Sequence, residues 1–493
     1  MKMRKLLSLA ICVVMVLTMA VGCGTQKTDA GASPAATPAA ASKAPDASVA
    51  PTEAAAAPVT IKLGIWPEPT LTDDITMHEG YVETMKQLHP NVTVVPAYYK
   101  YATDTFVSMA EAGTLPTIFE SWYTEPQKLI SGEFVADITD ELTARGWDKD
   151  INPSIKTLLS DTNGRIYGLP RDGYALGLML NVQLFEDAGL VDANGYPQYP
   201  KTMDELATVA KAIKDKTGQA GICLLAKDNA GGWHFSQIAW EFGATLCKDN
   251  GDGTFTSQLN SAEDIAAMSF VKDLKWKYDV LTADPTNEDW GTGFTALGTG
   301  AAAMYIAAND AVNQPTQNNG LALDKLALCA VPAGPGGQFS LSGGTPYFFA
   351  KNATVDEINA GLDYLEIMGK SPVASDTAIA GMKKDAETKV AAGVPVIPRF
   401  PAWINQDILD AEANIIKEYG NVDTNLYQSY FDATQGKTGK LRLEETGSTQ
   451  DMYAELTKVL QAVITDKNAD VTALLNTANT NYQTILDTKF PKK

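Results

Sequence analysis

The sequence is poor in the residues that build metal centres and catalytic triads. It contains five cysteines and three histidines in 493 residues. Outside the N-terminal region, Cys223, Cys247 and Cys329 are widely spaced and none belongs to a Cys-x-x-Cys pair. This spacing excludes a zinc framework and allows at most one disulfide. A Cys223–Cys247 bridge is conceivable, but we favour buried free thiols. The scattered histidines argue against a Ser-His-Asp triad or a His-based metal site, so we predict no metal and no cofactor.

Positive charge and long apolar runs are also lacking. Lysine and arginine number 39 against 59 aspartates and glutamates, which gives a net charge of −20. A surface this acidic repels phosphates and anionic lipid, so nucleic acid is excluded as a partner. The N-terminal apolar run, residues 6–20, is shorter than the roughly 20 residues needed to span a bilayer. An uncleaved transmembrane helix is therefore the weaker interpretation of this run.

The N-terminus has the pattern of a secretory signal. Lys2, Arg4 and Lys5 precede the apolar run, and small residues follow it. The sequence Ala-Val-Gly-Cys that ends at Cys23 resembles the lipobox of bacterial lipoproteins, in which the cysteine becomes the lipidated first residue. The resemblance implies a signal peptide over residues 1–22 and a lipid anchor at Cys23, on the extracellular face of a cell membrane, most simply in a Gram-positive cell. Residues 24–58 are almost all Ala, Pro, Ser, Thr and Gly, which predicts a disordered tether.

The remaining residues, 59–493, are too many for one core and suit two lobes. They open with a β-α-β-α-β pattern. An alternating strand starts at Val59, a helix ends at Leu88 before His89-Pro90, and further strands are predicted near residues 92–95 and 117–120. This order predicts a parallel sheet, at whose carboxyl edge ligands bind.

Aromatic and acidic residues follow two of these strands. Trp66 and Glu68 come after the first strand, and Glu120 and Trp122 come at the end of the third. Sugar rings stack on aromatic side chains, and sugar hydroxyls donate hydrogen bonds to carboxylates. The pairing therefore predicts a sugar site, whereas the alternative is that the rings seal the top of the core.

A series of motifs resembles the family of bacterial extracellular solute-binding proteins of the large, maltose-binding type. In chain order the motifs are AEAGTLPTI (110–118), YGLP (167–170), GLMLN (177–181), LFEDAGL (184–190), PKTMDEL (200–206), FTALGTGAAAM (294–304) and GGTPYFFAKN (343–352). Thr117, Leu180 and Met203 depart from the usual family residues. The resemblance covers residues from about 61 to 369.

The resemblance implies an α/β fold of two lobes, of the type II periplasmic-binding-protein kind, which captures ligand in a cleft by hinge closure. We expect crossings between the lobes near residues 171–177, 341–344 and 394–399. The N-terminal lobe would comprise residues 59–172 and 344–395, and the C-terminal lobe residues 177–340 and 396–493.

The candidate ligand-binding residues lie in the turns expected at the cleft. They are Trp66, Glu68, Glu120, Trp122, Asp172, Tyr174, Asn229, Trp233, Asn309, Asp310, Tyr347 and Trp403. Asn229 and Trp233 belong to a glycine-rich segment that we interpret as a turn, and Trp403 is predicted to close over the cleft. The segment 249–254 resembles the start of a calcium loop but lacks its bidentate glutamate, so we predict a hairpin instead.

The sequence therefore predicts a monomeric, lipid-anchored substrate-binding protein of an ATP-driven importer, with no chemistry of its own. It would capture a sugar, most simply an oligosaccharide, and deliver it to a membrane permease. Three alternatives stay open at this point. They are a binding protein for a polyamine or other non-sugar solute, a secreted glycoside hydrolase that uses Glu68 and Glu120 as its carboxyl pair, and a surface adhesin or sensor.

Overall fold

The computed structural model describes residues 57–492, except for the side chains of Ser154 and Asp172. The predicted signal peptide, the Cys23 anchor and most of the tether lie outside the described residues. The described residues group together as one compact unit. Within the described range, every helix is too short or too polar to cross a membrane.

The described residues contain ten β-strands. These are β1 (Val59–Leu63), β2 (Val92–Pro96), β3 (Ile118–Glu120), β4 (Gly168–Asn181), β5 (Cys247–Asp249), β6 (Phe255–Ser257), β7 (Met304–Ala308), β8 (Leu326–Cys329), β9 (Phe339–Phe349) and β10 (Lys440–Leu443).

The same residues contain sixteen α-helices. These are α1 (Thr72–Leu88), α2 (Phe106–Glu111), α3 (Pro126–Ser131), α4 (Thr139–Arg145), α5 (Pro153–Leu158), α6 (Val182–Asp187), α7 (Met203–Thr217), α8 (Asp228–Glu241), α9 (Ala262–Trp276), α10 (Trp290–Gly298), α11 (Val355–Ile367), α12 (Asp376–Ala391), α13 (Gln406–Tyr419), α14 (Gln428–Thr434), α15 (Thr449–Thr465) and α16 (Val471–Lys489).

The predicted parallel start of the sheet is confirmed. Strand β1 pairs in parallel with both β2 and β3. The main sheet then continues in the order β2-β1-β3-β9-β4-β7, with β10 paired to β9 and β8 paired to β4. Strands β9 and β4 are antiparallel to their neighbours β3 and β7. The carboxyl ends of β1, β2 and β3 therefore lie at one edge, where the residues that follow them meet.

The chain folds around two separate hydrophobic cores. The first contains Ile61 and Leu63 of β1 together with Phe119, and the second contains Leu178 and Met179 of β4. Strands β4 and β9 run from one core to the other. Within β4, Leu169 belongs to the first core and Ala175 to the second, so the crossing coincides with a break in the strand register between Pro170 and Gly173.

The third predicted crossing, near residues 394–399, stays a prediction. Ile397 packs in the second core. Trp403 and, on α13, Ile408 and Ile415 pack in the first core, whereas Leu426 and Tyr427 pack in the second. Helix α13 packs against α12, and this long-range packing is not visible in the local sequence. The lobe limits stay predictions as well.

Two local structures follow from short sequence patterns, and the second of them, a hairpin, was predicted above. Thr202 caps α7 by accepting from the backbone N–H of Glu205, while the Glu205 carboxylate accepts from the N–H of Lys201. The segment 249–254 is a hairpin that joins β5 to β6, with Gly251 and Gly253 at positive φ.

Candidate functional site

A cavity of about 670 Å³ lies at the carboxyl edge of β1, β2 and β3. This is within the range of roughly 300–1,000 Å³ typical of small-molecule sites. Residues that follow strands of both cores reach it. Its polar and aromatic lining includes Trp66, Glu68, Tyr98, Tyr99, Glu120, Asn309, Asp310 and Tyr347. Six of the twelve predicted ligand-binding residues are therefore brought together at one cavity.

Arg171 connects the two sides of this cavity. One of its guanidinium nitrogens lies 3.2 Å and 3.1 Å from the two carboxylate oxygens of Glu120, and the other lies 3.5 Å from Oδ2 of Asp310. Glu120 follows β3, beside the first core, and Asp310 follows β7, beside the second. The guanidinium therefore neutralises two carboxylates that approach the cavity from different lobes.

The wall of the cavity also contains basic residues from beyond residue 364. Lys370, Lys389 and Arg399 line it together with Asp385 and Glu412. Lys389 donates to Asp385 over 2.8 Å, and Arg399 donates to the same carboxylate over 2.5 Å. Burial by itself would raise the pKa of Asp385, but the nearby lysines and Arg399 outweigh it and hold that pKa well below its usual range. Asp385 thus fixes the positions of two cationic side chains at the cavity wall.

The His78 ring packs against the Trp66 ring. The two rings meet edge to face with centroids 5.5 Å apart, and Nδ1 of His78 lies 3.0 Å from the Tyr364 hydroxyl. Burial lowers the pKa of His78 to about 4, so its ring is neutral at pH 7. The Trp66 ring is therefore held in place by a neutral aromatic contact.

A second group of polar and aromatic residues lies at the junction of the cores, and we call it the interlobe cluster. Its members are Tyr101, Trp122, Glu125, Tyr174, Trp233, Glu444 and Tyr453. On the first-core side, the rings of Tyr101 and Trp122 are 5.0 Å apart, and the Tyr101 hydroxyl donates to Glu125 over 2.7 Å. On the second-core side, the rings of Tyr174 and Trp233 are 6.4 Å apart. The cluster adjoins the cavity, since Gly173 and Glu120 line the cavity and lie close in sequence to Tyr174 and Trp122.

Gln450 on α15 joins the two sides of this junction. Its side-chain amide donates to Thr124 over 3.1 Å, and its side-chain oxygen accepts from Asn229 over 3.0 Å. Thr124 follows β3, and Asn229 is the second residue of α8. Asn229 is thus used in a contact between protein segments, next to the interlobe cluster.

Eleven of the twelve predicted residues therefore fall into three groups. Trp66, Glu68, Glu120, Asn309, Asp310 and Tyr347 line the cavity. Trp122, Tyr174 and Trp233 belong to the interlobe cluster, and Asn229 adjoins it. Asp172 lies on β4, but its side chain is outside the described part of the chain.

Two predictions about these residues need correction. The segment 227–233 is not a turn, because Asp228 starts helix α8 and the glycines lie within its first turns. Trp403 does not close over the cavity. It is 5% exposed in the first core, with its ring 6.4 Å from that of Trp147, because α13 brings this segment inward.

Sequence reasoning missed several residues of the site. Tyr98 and Tyr99 directly follow β2, so the strand-end argument used for Trp66 should have included them. Arg171 lies inside a predicted crossing between the lobes, and this position was a second signal that could have identified it. Asp385 and Glu444 had no local signal, because their positions depend on the packing of distant segments.

The three cysteines of the folded part, Cys223, Cys247 and Cys329, are buried free thiols, as favoured from their spacing. Burial raises the pKa of the Cys247 thiol to about 11. In the region that the structure describes, His, Cys, Asp and Glu side chains do not form a group able to hold a metal ion.

Comparison with known proteins adds to this geometry. A family model described as "Bacterial extracellular solute-binding protein" matches residues 29–364, more than half of the chain. This chain belongs to the family of bacterial extracellular solute-binding proteins. Helices α12 and α13 lie beyond the matched residues, so this solute-binding protein supplies the basic wall of its cavity from a segment outside the family match.

One curated relative and two solved structures illustrate the likeness. The melibiose/raffinose/stachyose-binding protein MelE of Bacillus subtilis is 27% identical over 108 residues, which is 22% of each chain. The match thus spans about a fifth of that relative's length. The GacH receptor of Streptomyces glaucescens, solved without ligand and with acarbose, has a TM-score of 0.65 at 17% identity, over 87% of this chain and 99% of that one.

UgpB from Mycobacterium tuberculosis, solved in complex with glycerophosphocholine, has a TM-score of 0.64 at 15% identity, over 88% of this chain and 99% of that one. At these identities the two structures establish the fold of the solute-binding protein, which is the two-lobed α/β fold.

Proposed function

We propose that this solute-binding protein is the lipid-anchored capture component of an ATP-driven importer, and that its ligand is a carbohydrate, an oligosaccharide. The observation that carries the proposal is the cavity between residues of the two cores. Trp66 and the two tyrosines after β2 offer ring faces, while Glu68 and Asn309 offer hydrogen-bonding groups. Closure of two lobes on such a ligand stabilises the closed form by the difference in its affinity for the two forms.

The comparisons support the same ligand class. MelE is named as a binding protein for melibiose, raffinose and stachyose, and the GacH structures contain acarbose. The UgpB complex contains glycerophosphocholine, so the fold also accommodates a non-sugar solute. The aromatic and carboxylate lining of this chain favours sugar, because a pyranose needs both a ring to stack on and acceptors for its hydroxyls.

The anchor and the site residues are part of the proposal. We infer that Cys23 carries the lipid and that residues 24–58 hold the folded part away from the membrane on the extracellular side. A monomer in this position would present the loaded, closed form to a permease.

The test is a thermal-shift and calorimetric screen of the mature chain from residue 23, with Cys23→Ser to prevent lipidation. A saturating ligand at 100 times its Kd adds about 2.7 kcal/mol to the free energy of unfolding. We expect an oligosaccharide series to raise Tm, and Trp66→Ala to remove the effect. Trp276→Ala is the matched control, since Trp276 is half-buried in the second lobe and hydrogen-bonds Val463.

Two results would contradict the proposal. If no saccharide raises Tm and polyamines or glycerol phosphates do, the ligand is a solute other than a carbohydrate. Sustained cleavage of an oligosaccharide, abolished by Glu120→Gln, would favour the hydrolase hypothesis, whereas recovery of the bound sugar unchanged would reject it.

A further inference from the structure

Glu444 lies at the centre of the interlobe cluster. It directly follows β10 and is half-buried. One carboxylate oxygen accepts a hydrogen bond from the Tyr453 hydroxyl over 2.9 Å. The other faces Gly343 on β9, where a Cβ atom would stand 3.0 Å from it and 2.5 Å from the Tyr174 hydroxyl. Glycine at 343 therefore leaves the space in which Glu444 and Tyr174 come together beside the crossing strand.

The Glu444 carboxylate lacks a cationic partner among the residues that the structure describes. Burial raises the pKa of Glu444 to about 7, the hydrogen bond from Tyr453 opposes this, and the negative charge of Glu125 adds to it. Glu125 belongs to the first-core side and is 3% exposed. Lys128 contacts Glu125 at 3.2 Å. By contrast, among the residues the structure describes, Glu444 has no ion pair with a lysine, arginine or histidine.

Aromatic rings complete the surroundings. Tyr174 and Trp233 stand on the side of the second core, and Trp122 stands on the side of the first, against Tyr101. The π faces of such rings attract cations, most strongly when water is excluded. The chain as a whole carries a net charge of −20, so a cationic ligand is also drawn toward it over longer distances.

We propose that Glu444 is a specificity-determining residue that binds a protonated amino group on the captured saccharide, beside the aromatic rings of the interlobe cluster. This inference rests on the proposed capture of a carbohydrate and narrows it to amino sugars. The reason is that the Glu444 carboxylate has no cationic partner within the described part of the chain. A hydroxyl donates one hydrogen bond to Glu444 and leaves its charge unneutralised, whereas an ammonium offers three donors and a positive charge.

The test compares two ligands that share one backbone. Glucosamine oligomers and their N-acetylated counterparts differ at the nitrogen, where acetylation removes the positive charge. Calorimetry at pH 7 with the mature Cys23→Ser chain should show the amino form binding at least about tenfold more tightly, which corresponds to ~1.4 kcal/mol. Glu444→Gln should bring the two affinities to within about twofold of each other. Glu133→Gln, at an exposed carboxylate paired with Lys351, is the matched control and should leave the preference unchanged.

Salt supplies a second measurement that does not depend on a variant. Affinity for the amino oligomer should fall as ionic strength rises from 0.05 to 0.5 M, while affinity for the acetylated oligomer should change little. If Glu444→Gln does not fold, this comparison by itself tests whether binding depends on the positive charge of the amino group.

The outcomes separate this inference from the proposed function. Equal binding of the two oligomers, tighter binding of the acetylated form, or a preference that persists in Glu444→Gln would overturn the role of Glu444. Carbohydrate capture would still stand in those cases. If neither these oligomers nor any neutral saccharide binds, both proposals fail.

Discussion

Replacing Gly232 with alanine should destabilise the second lobe, because α8 and α15 touch through their backbones at this position. A Cβ on residue 232 would stand 2.1 Å from the carbonyl oxygen of Tyr453 and 2.4 Å from its Cα. Ordinary contacts of a Cβ lie at 3.4–4 Å. Backbone atoms cannot rotate out of the way as a side chain can, so one helix must move by about 1 Å or more.

The magnitude follows from two opposing effects. Adding a methyl group to a tightly packed contact costs about 1–3 kcal/mol and occasionally more. Alanine gains about 1 kcal/mol over glycine within a helix. The shift would also disturb the hydrogen bond from the Gly232 N–H to the Thr457 hydroxyl, which is 2.8 Å long. We therefore expect the free energy of unfolding to fall by about 2 kcal/mol.

The assay is urea unfolding of the mature chain, followed by circular dichroism. Gly80→Ala is the matched control, because Gly80 is exposed on α1 and a Cβ there would have no neighbour within 4 Å. It should raise the free energy of unfolding by about 0.4–1 kcal/mol. If Gly232→Ala is as stable as the unmodified protein while Gly80→Ala behaves as expected, the close approach of α8 and α15 is refuted.

Three further predictions test the charges and thiols. Arg171→Met leaves Glu120 and Asp310 facing the cavity without the guanidinium of Arg171. It should lower the free energy of unfolding by about 1 kcal/mol after allowance for solvent exposure, and by less in 1 M salt. A loss of stability that does not depend on salt would contradict the ion-pair argument. Burial raises the pKa of Glu241 to about 9, so from about pH 4.5 to 9 the unfolded chain is ionised there and the folded chain is not. The free energy of unfolding of the unmodified protein therefore falls with rising pH. The free energy of unfolding of Glu241→Gln should rise relative to that of the unmodified protein by up to about 1.4 kcal/mol per pH unit between pH 5 and 8. A difference that stays constant with pH would argue against a neutral Glu241. A thiol reagent should leave the native mature Cys23→Ser chain unlabelled and label three thiols in denaturant, and rapid native labelling would contradict the burial of Cys223, Cys247 and Cys329.

The start of the fold and six residues of the cavity lining could be predicted from the sequence. Alternation after Val59, the Pro90 stop and the third strand at Glu120 are local patterns, and their β-α-β-α-β order predicts parallel strands with right-handed crossovers. Residues that follow parallel strands must meet at one edge. Trp66 and Glu120 were therefore identified before any packing was known.

Tertiary packing decided the rest. Glycine marks turns in a sequence because it tolerates positive φ, yet at Gly232 it permits two helices to touch. Trp403 entered the first core because α13 packs against α12, which the local pattern does not reveal.

The sequence by itself predicted an export signal from local composition, the two-lobed fold from a family resemblance, and the strand ends that carry aromatic and acidic residues from periodicity. Only the tertiary structure decided that Arg171 joins Glu120 to Asp310, and that the Glu444 carboxylate lies beside Gly343 and Tyr174. The physical reason is that each of these contacts joins segments far apart in the chain. The contacting residues meet only when the two cores are positioned by the long strands β4 and β9.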